Sequence, residues 1–494
     1  MSEAFLSAIL QLIEPLNLLL LVGGVSLGCI IGIMPGLGAP IAITICLPFT
    51  FHLTAIQSFS LLLGVYSAAV FGGSISAITI GIPGTGAALA TLADGNTMAK
   101  QGRAGEALGL ALVGSVFGGI VSAVILAFTA PFLAGFAVKF GPREYLAISI
   151  FGVMLVGRVA HGSLLKGMLM ASVGMFLTTF GVDYINGNTR YMFGRYELYS
   201  GLPLVAVLSG IFAISEILIL SEKTFKKKLV KDELVKTNMP SFKFLLKKKM
   251  TLLRSSLIGT LVGIIPGEGA AIGAFLSYSE AKRASDHPET FGYGEPEGIL
   301  APETANNATV GGALVPTLTL GVPGSPAAAV LLGAFYIQGL NVGPRLMKEA
   351  PELMYSIFIG LFLINIAMIF IGRIAVRYSA KVSNVPTPYV VTVVSLMCFI
   401  GAYAIGNNSF AVLVMLISGL FGYVIRKLDF PIAPLAIGFV LGPLLEKSFR
   451  QSIQISQGSV GEFFNSPIAI VIYIILLFVF LWQPIKDKLF HKRA

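Results

Sequence analysis

Charge is what this sequence has least of. Only 12% of its 494 residues are Asp, Glu, Lys or Arg, whereas soluble domains carry about 25%. With 55% hydrophobic residues, the chain has too few charges to cover a surface facing water. Lipid is the solvent for most of it. Cysteine is also scarce. Cys29, Cys46 and Cys398 lie in apolar stretches without CxxC spacing, which supports neither a disulfide framework nor a zinc site. The histidines His52, His161, His287 and His491 are scattered and no HExxH occurs, so a metalloprotease is not supported. GxxxxGK[ST] is absent too, which argues against ATP hydrolysis in this chain. No organic cofactor is implied.

What charge there is gathers in one place. Between Glu222 and Arg254 stand eleven Lys/Arg against three acids. They are not interleaved with aromatics as on a nucleic-acid-binding surface, so no nucleic acid is expected. A basic loop beside apolar spans reads as cytoplasmic by the positive-inside rule. The tail with Lys486, Lys488, Lys492 and Arg493 reads the same way. The opening MSEAFLSAILQLIEP lacks a basic n-region, so no cleaved signal peptide is expected.

About 20 apolar residues cross the hydrocarbon core. Such runs start near Leu16, Ala55, Ala104, Glu144, Ser163 and Leu202, then near Ser255, Thr304, Glu352, Thr387, Ser409, Phe430 and Pro467. The expectation is an all-α polytopic protein with roughly 12 transmembrane helices, embedded in a lipid bilayer. The short alternating strands of a β-barrel do not occur. Three regions follow: a first transmembrane repeat over 1–221, a basic cytoplasmic linker over 222–254, and a second repeat with C-terminal helices over 255–494.

The word repeat rests on matched residues. Gly28, Gly32, Ile33, Pro35, Gly36, Gly38, Ala39 and Ile41 match Gly259, Gly263, Ile264, Pro266, Gly267, Gly269, Ala270 and Ile272 at one offset of 231. A second pair follows: Thr79-Ile80-Gly81-Ile82-Pro83-Gly84 matches Thr319-Leu320-Gly321-Val322-Pro323-Gly324, with Ala87-Ala88 matching Ala327-Ala328. Pro-Gly breaks an apolar helix, and unwound backbone at membrane depth survives only where it is buried in protein or lines a cavity. Matched interruptions in two halves point to a transporter binding site. The breaks read as broken or re-entrant helices. Inverted repeats are favoured, because inversion brings half-helix ends together at the midplane.

Each break leads into a new helix whose first-turn N–H groups lack internal partners. With the helix dipole they attract an anion, and glycine lets backbone approach it closely. The candidate substrate-binding residues are Pro35, Gly36, Gly38, Gly84, Thr85, Gly86, Gly267, Gly269, Gly324, Ser325 and Asn307. A lone Pro-Gly is an ordinary kink; four in two matched pairs carry the inference. Asp94, Glu303 and Asn306 are the candidate ion-coupling residues. Carboxylate and amide oxygens are hard ligands, so Na⁺ at Glu303 and Asn306, or H⁺, is the expected coupling cation. The plainer alternatives are that Glu303 caps a helix start after Pro302, and that Asp94 is a cap or loop residue. Glu268, inside the second Pro-Gly turn, reads equally as a coupling group or as facing a vestibule. Arg158, Glu216 and Arg373 read as interfacial snorkelling residues.

The stretch PGLGAPIAITICLPFTF, continuing through VFGGSISAITIGIPGTGAALATLADGNTMAKQGRAGEALG, resembles the large membrane subunit (TctA type) of the tripartite tricarboxylate transporter family. GIIPGEGAAIGAFLSYSEAKR and FGYGEPEGILAPETANNATVGGALVPTLTLGVPGSPAAAVLLGAFYIQGLNVGP are similar to its second signature region, and DYINGNTRYMFG with ELYSGLPLVAVLSGIFAISEIL to its middle. The likeness covers most of residues 15–380. It departs at Glu268, where a small residue is expected, and at LADGNT. The resemblance implies a multi-pass secondary transporter of a prokaryotic cytoplasmic (inner) membrane, taking up carboxylates by symport. Its partners would be a small membrane subunit and a periplasmic substrate-binding protein; a homo-oligomer is compatible. The competing readings are a binding-protein-independent transporter or channel, and an intramembrane enzyme with Asp94 and Glu303 as paired acids. Repeated half-sites speak against an enzyme.

Overall fold

A computed structural model of the chain describes residues 2–159, 163–183, 185–222, 235–267, 269–404 and 407–490. Glu268, His161, His491, Lys492, Arg493 and half of the acidic and basic residues of the linker lie outside the described residues. In chain order the helices begin with α1 (Ser2–Leu12), α2 (Pro15–Ile33), α3 (Ala39–Cys46), α4 (Ala55–Ile80), α5 (Ala88–Lys100) and α6 (Ala104–Ala137). There follow α7 (Pro142–Val159), α8 (Leu164–Leu177), a two-stranded hairpin of β1 (Gly181–Val182) and β2 (Thr189–Arg190), α9 (Leu204–Ser209) and α10 (Ser215–Glu222). Beyond the linker come α11 (Phe242–Lys247), α12 (Lys249–Ile264), α13 (Gly269–Ala284), α14 (Glu297–Leu320), α15 (Pro326–Ile337) and α16 (Leu346–Glu349). The chain closes with α17 (Pro351–Arg377), α18 (Ser379–Ser383), α19 (Thr387–Ala404), α20 (Ser409–Lys427), α21 (Ile432–Ile455) and α22 (Pro467–Phe490).

Among the described residues, eight helices are long and apolar enough to span a bilayer. They are α2, α4, α6, the continuous Leu204–Glu222 segment, α17, α19, α20 and α21; α1, α3, α8, α15 and α22 contribute shorter apolar helices. The protein is an all-α multi-pass membrane protein, as the apolar runs predict. One expected boundary shifts. The run read as starting near Thr304 is a helix from Glu297, and it continues through Pro302 and Pro316. Every residue of α14 except the last is buried. A helix packed against protein on all sides can carry polar residues that find partners there, so hydropathy understates its length. Glu303 therefore lies inside a helix and does not cap its start.

The helices divide into two units: Met1–Ala134 with Leu202–Leu428, and Gly135–Gly201 with Asp429–Ala494. In the first, the two repeats share one plan. α2 and α4 run side by side in the same direction, and small residues set the approach. A Cβ on Gly28 would stand 2.5 Å from the Val65 carbonyl oxygen, and one on Gly32 2.5 Å from that of Ala69. α12 and α14 do the same, with Gly263 against Thr309. Between the parallel pair, α3 must run back, so α2 and α3 form a helical hairpin whose tip is the Pro35-Gly36 break. α12 and α13 form its counterpart, with Pro266-Gly267 at the tip. Both long helices end on a left-handed glycine, Gly81 (φ 73°) and Gly321 (φ 72°), which closes the last turn as only glycine does cheaply.

The second unit holds α7, α8, the β-hairpin, α21 and α22. Gly438 and Gly442 of α21 pack against Ala171 and Thr178. The β-hairpin turn is built on Asp183, whose Oδ1 accepts from the Ile185 and Asn186 amides at 2.8 and 3.2 Å. Its Oδ2 accepts from Arg450 at 2.5 Å, and Glu446 takes a two-point contact from Arg190. The Arg450 hydrogen bond, then the amides, lower the Asp183 pKa to about 2.

Candidate functional site

The breaks that are far apart in sequence meet in space. The extended segment after Gly81 folds back along α4, and the Gly84 amide donates to the Gly73 carbonyl at 3.1 Å. There a Cβ on Gly84 would stand 2.7 Å from Gly73 Cα and 2.9 Å from the Gly32 carbonyl. Its repeat mate Gly324 is held in the same way, 2.6 Å from Ala313 Cα and 2.9 Å from the Gly263 carbonyl. Within each half the two breaks touch. Gly38 borders Thr85 and the Gly84 carbonyl, and the Gly267 amide donates to the Gly324 carbonyl at 3.2 Å. Gly269 packs on the α12 backbone, 3.0 Å from the Val262 oxygen by the same measure.

The halves also meet each other. Gly86 borders Ala271 on α13, and Ala87 and Ala90 pack with Ala274. Tyr66 on α4 shares a 2.8 Å hydrogen bond with Ser325. Thr85 and Ser325 occupy matching places as caps, accepting from the Ala88 and Ala328 amides at 3.3 and 3.1 Å. Gly36 and Gly86 are exposed and Pro35, Gly38, Thr85 and Ser325 half-buried, whereas Gly267, Gly269 and Gly324 are buried.

Between the two sets of breaks, α4 and α14 cross at their middles. The Asn307 amide donates to the Ser67 carbonyl at 3.1 Å, and Ser74 stands beside Glu303. Going forward on α4 from Ser67 to Ser74 means going backward on α14 from Asn307 to Glu303. The equivalent helices are therefore antiparallel, as inverted repeats require.

Glu303 is fully buried. Its carboxylate accepts from the Thr91 hydroxyl of α5 and, at 3.2 Å, from Ser115 of α6. Among the described residues no Lys or Arg pairs with it. Asn306 Nδ2, Asn307 Oδ1 and Ser67 Oγ are buried without a hydrogen-bond partner. Buried polar atoms normally find one, and an unmatched one costs free energy. Several in one region mark a place suited to a polar guest. The oxygens suit a small hard cation. One carboxylate is too little charge for a dedicated divalent site, and no group of three or more His, Cys, Asp or Glu that could hold a metal occurs among the described residues.

Asp94 stands elsewhere. Its Oδ1 accepts from the amides of Gly292, Gly294 and Glu295 at 2.8, 2.9 and 2.8 Å, and its Oδ2 from the Tyr278 hydroxyl at 2.9 Å. It thereby ties α5 to the turn that launches α14. The partners of Asp94 and Glu303 are different, so the two acids do not form one shared pair. Ser67, Ser74, Thr91, Ser115 and Tyr66 were not singled out from sequence. Their signal is weak, since hydroxyls in apolar helices usually bond their own backbone.

The match to known proteins covers the same core. The family model described as "Tripartite tricarboxylate transporter TctA family" matches residues 18–437. The chain belongs to that family. The TctA family is one of transporters, and this chain is its membrane component. It is similar to an Agrobacterium vitis protein described as an uncharacterized 52.8 kDa protein in the TAR-I ttuC′ 3′ region, 35% identical over 459 residues, 92% of this chain and 91% of the relative. A second Agrobacterium vitis protein, from the TAR-II ttuC′ 3′ region, is 37% identical over 211 residues, 43% of this chain and 87% of the relative. No solved structure matches.

One expectation is corrected. Glu216 does not snorkel: it is 4% exposed and ion-paired with Arg426. A carboxylate near a predicted span end is expected at the interface, but α20 packs over it.

Proposed function

We propose that this TctA protein is the large permease subunit of a tripartite importer, moving tricarboxylates or related carboxylates across a prokaryotic cytoplasmic membrane by cation symport. The observation that carries this reading is the meeting of glycine turns, break against break within each half, on helices that share a buried carboxylate with unmatched polar neighbours. The substrate carboxylates would lie against the turn amides at Gly36–Gly38, Gly84–Gly86, Gly267–Gly269 and Gly324–Ser325. Glu303, Asn306, Asn307, Ser67 and Ser74 would hold the coupling Na⁺ or H⁺. Asp94 would act by setting the height of α14, and with it the position of Glu303.

Energetics require coupling. Moving one charge against 100 mV costs about 2.3 kcal/mol, so a trianion entering an inside-negative cell faces roughly 7 kcal/mol before any concentration gradient. Three co-transported cations cancel that, and a fourth lets the potential drive uptake. A periplasmic binding protein would deliver the solute and a small membrane subunit would complete the complex.

The test is reconstituted uptake of citrate, malate and succinate, with and without a Na⁺ or proton gradient and with the binding protein present or omitted. Gradient-driven accumulation that needs the binding protein is the expected result. Accumulation of none of the acids under any gradient would remove the carboxylate reading. Equal uptake without the binding protein would make the transporter an autonomous one.

A further inference from the structure

Glu216 lies against the first broken helix. A Cβ on Gly36 would stand 2.6 Å from Glu216 Oε1 and 3.5 Å from its carboxyl carbon. Gly36 has φ 88°, so the turn presents bare backbone to this carboxylate. The other oxygen of Glu216 pairs with Arg426, whose second nitrogen reaches Ser215 Oγ at 3.3 Å. The Glu216 side chain is 6% exposed and that of Arg426 28%. An anion of the protein itself thus touches a turn at which the proposed substrate anion would be held, and the cation that balances it is partly exposed.

The surrounding backbone is built to place this pair. The helix carrying Glu216 makes a π-helical turn over Gly210–Ile214 immediately before Ser215, a distortion that re-aims the residues after it and is frequent at functional sites. Gly422 lets α20 come within 3.0 Å of Ile211 Cα and 3.1 Å of Ser215 Cβ, counted from an added Cβ. One turn later α20 delivers Arg426. Glu216 is six residues before the end of α10, or about 9 Å at the α-helical rise, so the pair lies close to the helix end that leads into the linker.

We propose that Glu216 and Arg426 form a charge gate at the first turn. With no substrate bound, Glu216 neutralises Arg426 and rests on Gly36. An arriving carboxylate takes the place of the Glu216 carboxylate at the turn and on the guanidinium. This assignment rests on the carboxylate reading above and adds the charged residue that the glycine turns lack. Arg426 is then a substrate-contacting residue and Glu216 its competitor.

The experiment uses the full-length protein in proteoliposomes with its partner subunits, with citrate and malate as probes. Four variants are compared: Glu216→Gln, Arg426→Gln, Arg426→Lys and the swap Glu216→Arg/Arg426→Glu. A gate predicts that Glu216→Gln lowers the half-saturating carboxylate concentration about tenfold, as loss of a charged competitor would. Arg426→Gln raises it at least about tenfold, and Arg426→Lys recovers part of the loss. The swap restores thermal stability but not uptake. A merely structural pair predicts the opposite for the swap, with stability and uptake returning together, and that result would overturn the gate. So would wild-type carboxylate affinity in Arg426→Gln. If the unaltered protein takes up no carboxylate at all, the carboxylate reading and the gate fail together; either of the other two results removes the gate alone.

Discussion

Asn307 donates its side-chain amide to the main-chain carbonyl of Ser67 at 3.1 Å, and the two residues hold equivalent places in the repeats. Each lies twelve positions before the threonine of its second break, Thr79 or Thr319. Equivalent points meet only where an internal twofold axis passes. The axis therefore runs through the middle of α4 and α14, and the unmatched polar atoms of Ser67, Asn306 and Asn307 gather beside it.

Replacing Asn307 or Asn306 by Ala should weaken the ion dependence of uptake while the protein remains in the membrane. A rise of about tenfold in the half-saturating cation concentration is expected, the size of one lost buried polar contact. Vesicle uptake titrated with Na⁺ and with protons checks it. Unchanged ion dependence in both variants would count against the assignment.

Gly84→Ala and Gly324→Ala should each destabilise the protein. The added methyl would meet backbone, Gly73 Cα in one case and Ala313 Cα in the other, and backbone gives way poorly. Overpacking of this kind costs about 1–3 kcal/mol. Thermal unfolding in detergent should show both variants below wild type, by similar amounts because the two environments match. Gly102→Ala is a control for a substitution in open space, since a Cβ there meets nothing within 4 Å; it has φ 81° and should show only the smaller backbone cost.

Asp94→Ala and Asp94→Asn should differ sharply. Alanine leaves the Gly292, Gly294 and Glu295 amides without their acceptor, and an unsatisfied buried donor costs about 1–3 kcal/mol. Asparagine keeps one oxygen for those amides but loses the charge and the oxygen that accepts from Tyr278, whose hydroxyl must then accept from the amide instead. Yield of folded protein from detergent should collapse for Ala and survive for Asn. Equal loss in both would mean that the charge itself is required.

Asp183 should confer an acid-dependent stability. Its folded pKa is lowered from 3.8 to about 2, first by Arg450. A lowered carboxyl stabilises the fold fully above its unfolded pKa, and that contribution fades as pH falls through the folded one. The window is thus about pH 4 down to about pH 2. The difference in thermal stability between wild type and Asp183→Asn should be constant from pH 7 to 5 and shrink below pH 4. A constant difference down to pH 2.5 would show that the Arg450 contact does not hold the proton off.

Much of the fold was legible because lipid imposes a simple code. Long uncharged runs can only be helices in a bilayer, and the Pro-Gly breaks recur with their flanking glycines, so both the class and the repeat could be read directly. α14 was harder to read. Its Glu297, Glu303, Asn306 and Asn307 look like a loop to any hydropathy rule, because hydropathy assumes a lipid-facing helix. The partners of Glu303 were invisible for a related reason. Thr91 and Ser115 are 212 and 188 residues away, and nothing in an isolated serine or threonine says which helix it will face. Glu216 was misread on the same ground, since its position near a span end carries no information about Arg426.

Residue order alone determined that this protein lives in lipid, that its chain is doubled, and that the backbone unwinds at four glycine-marked places. Those are consequences of composition, spacing and the stereochemistry of Pro and Gly, all local properties. Only the tertiary structure decided which breaks touch, which polar atoms stay unmatched, that the paired helices run in opposite directions, and that Glu216 rests on Gly36. Those depend on close packing between segments hundreds of residues apart, where a few tenths of an ångström of side-chain volume settle which helices can meet.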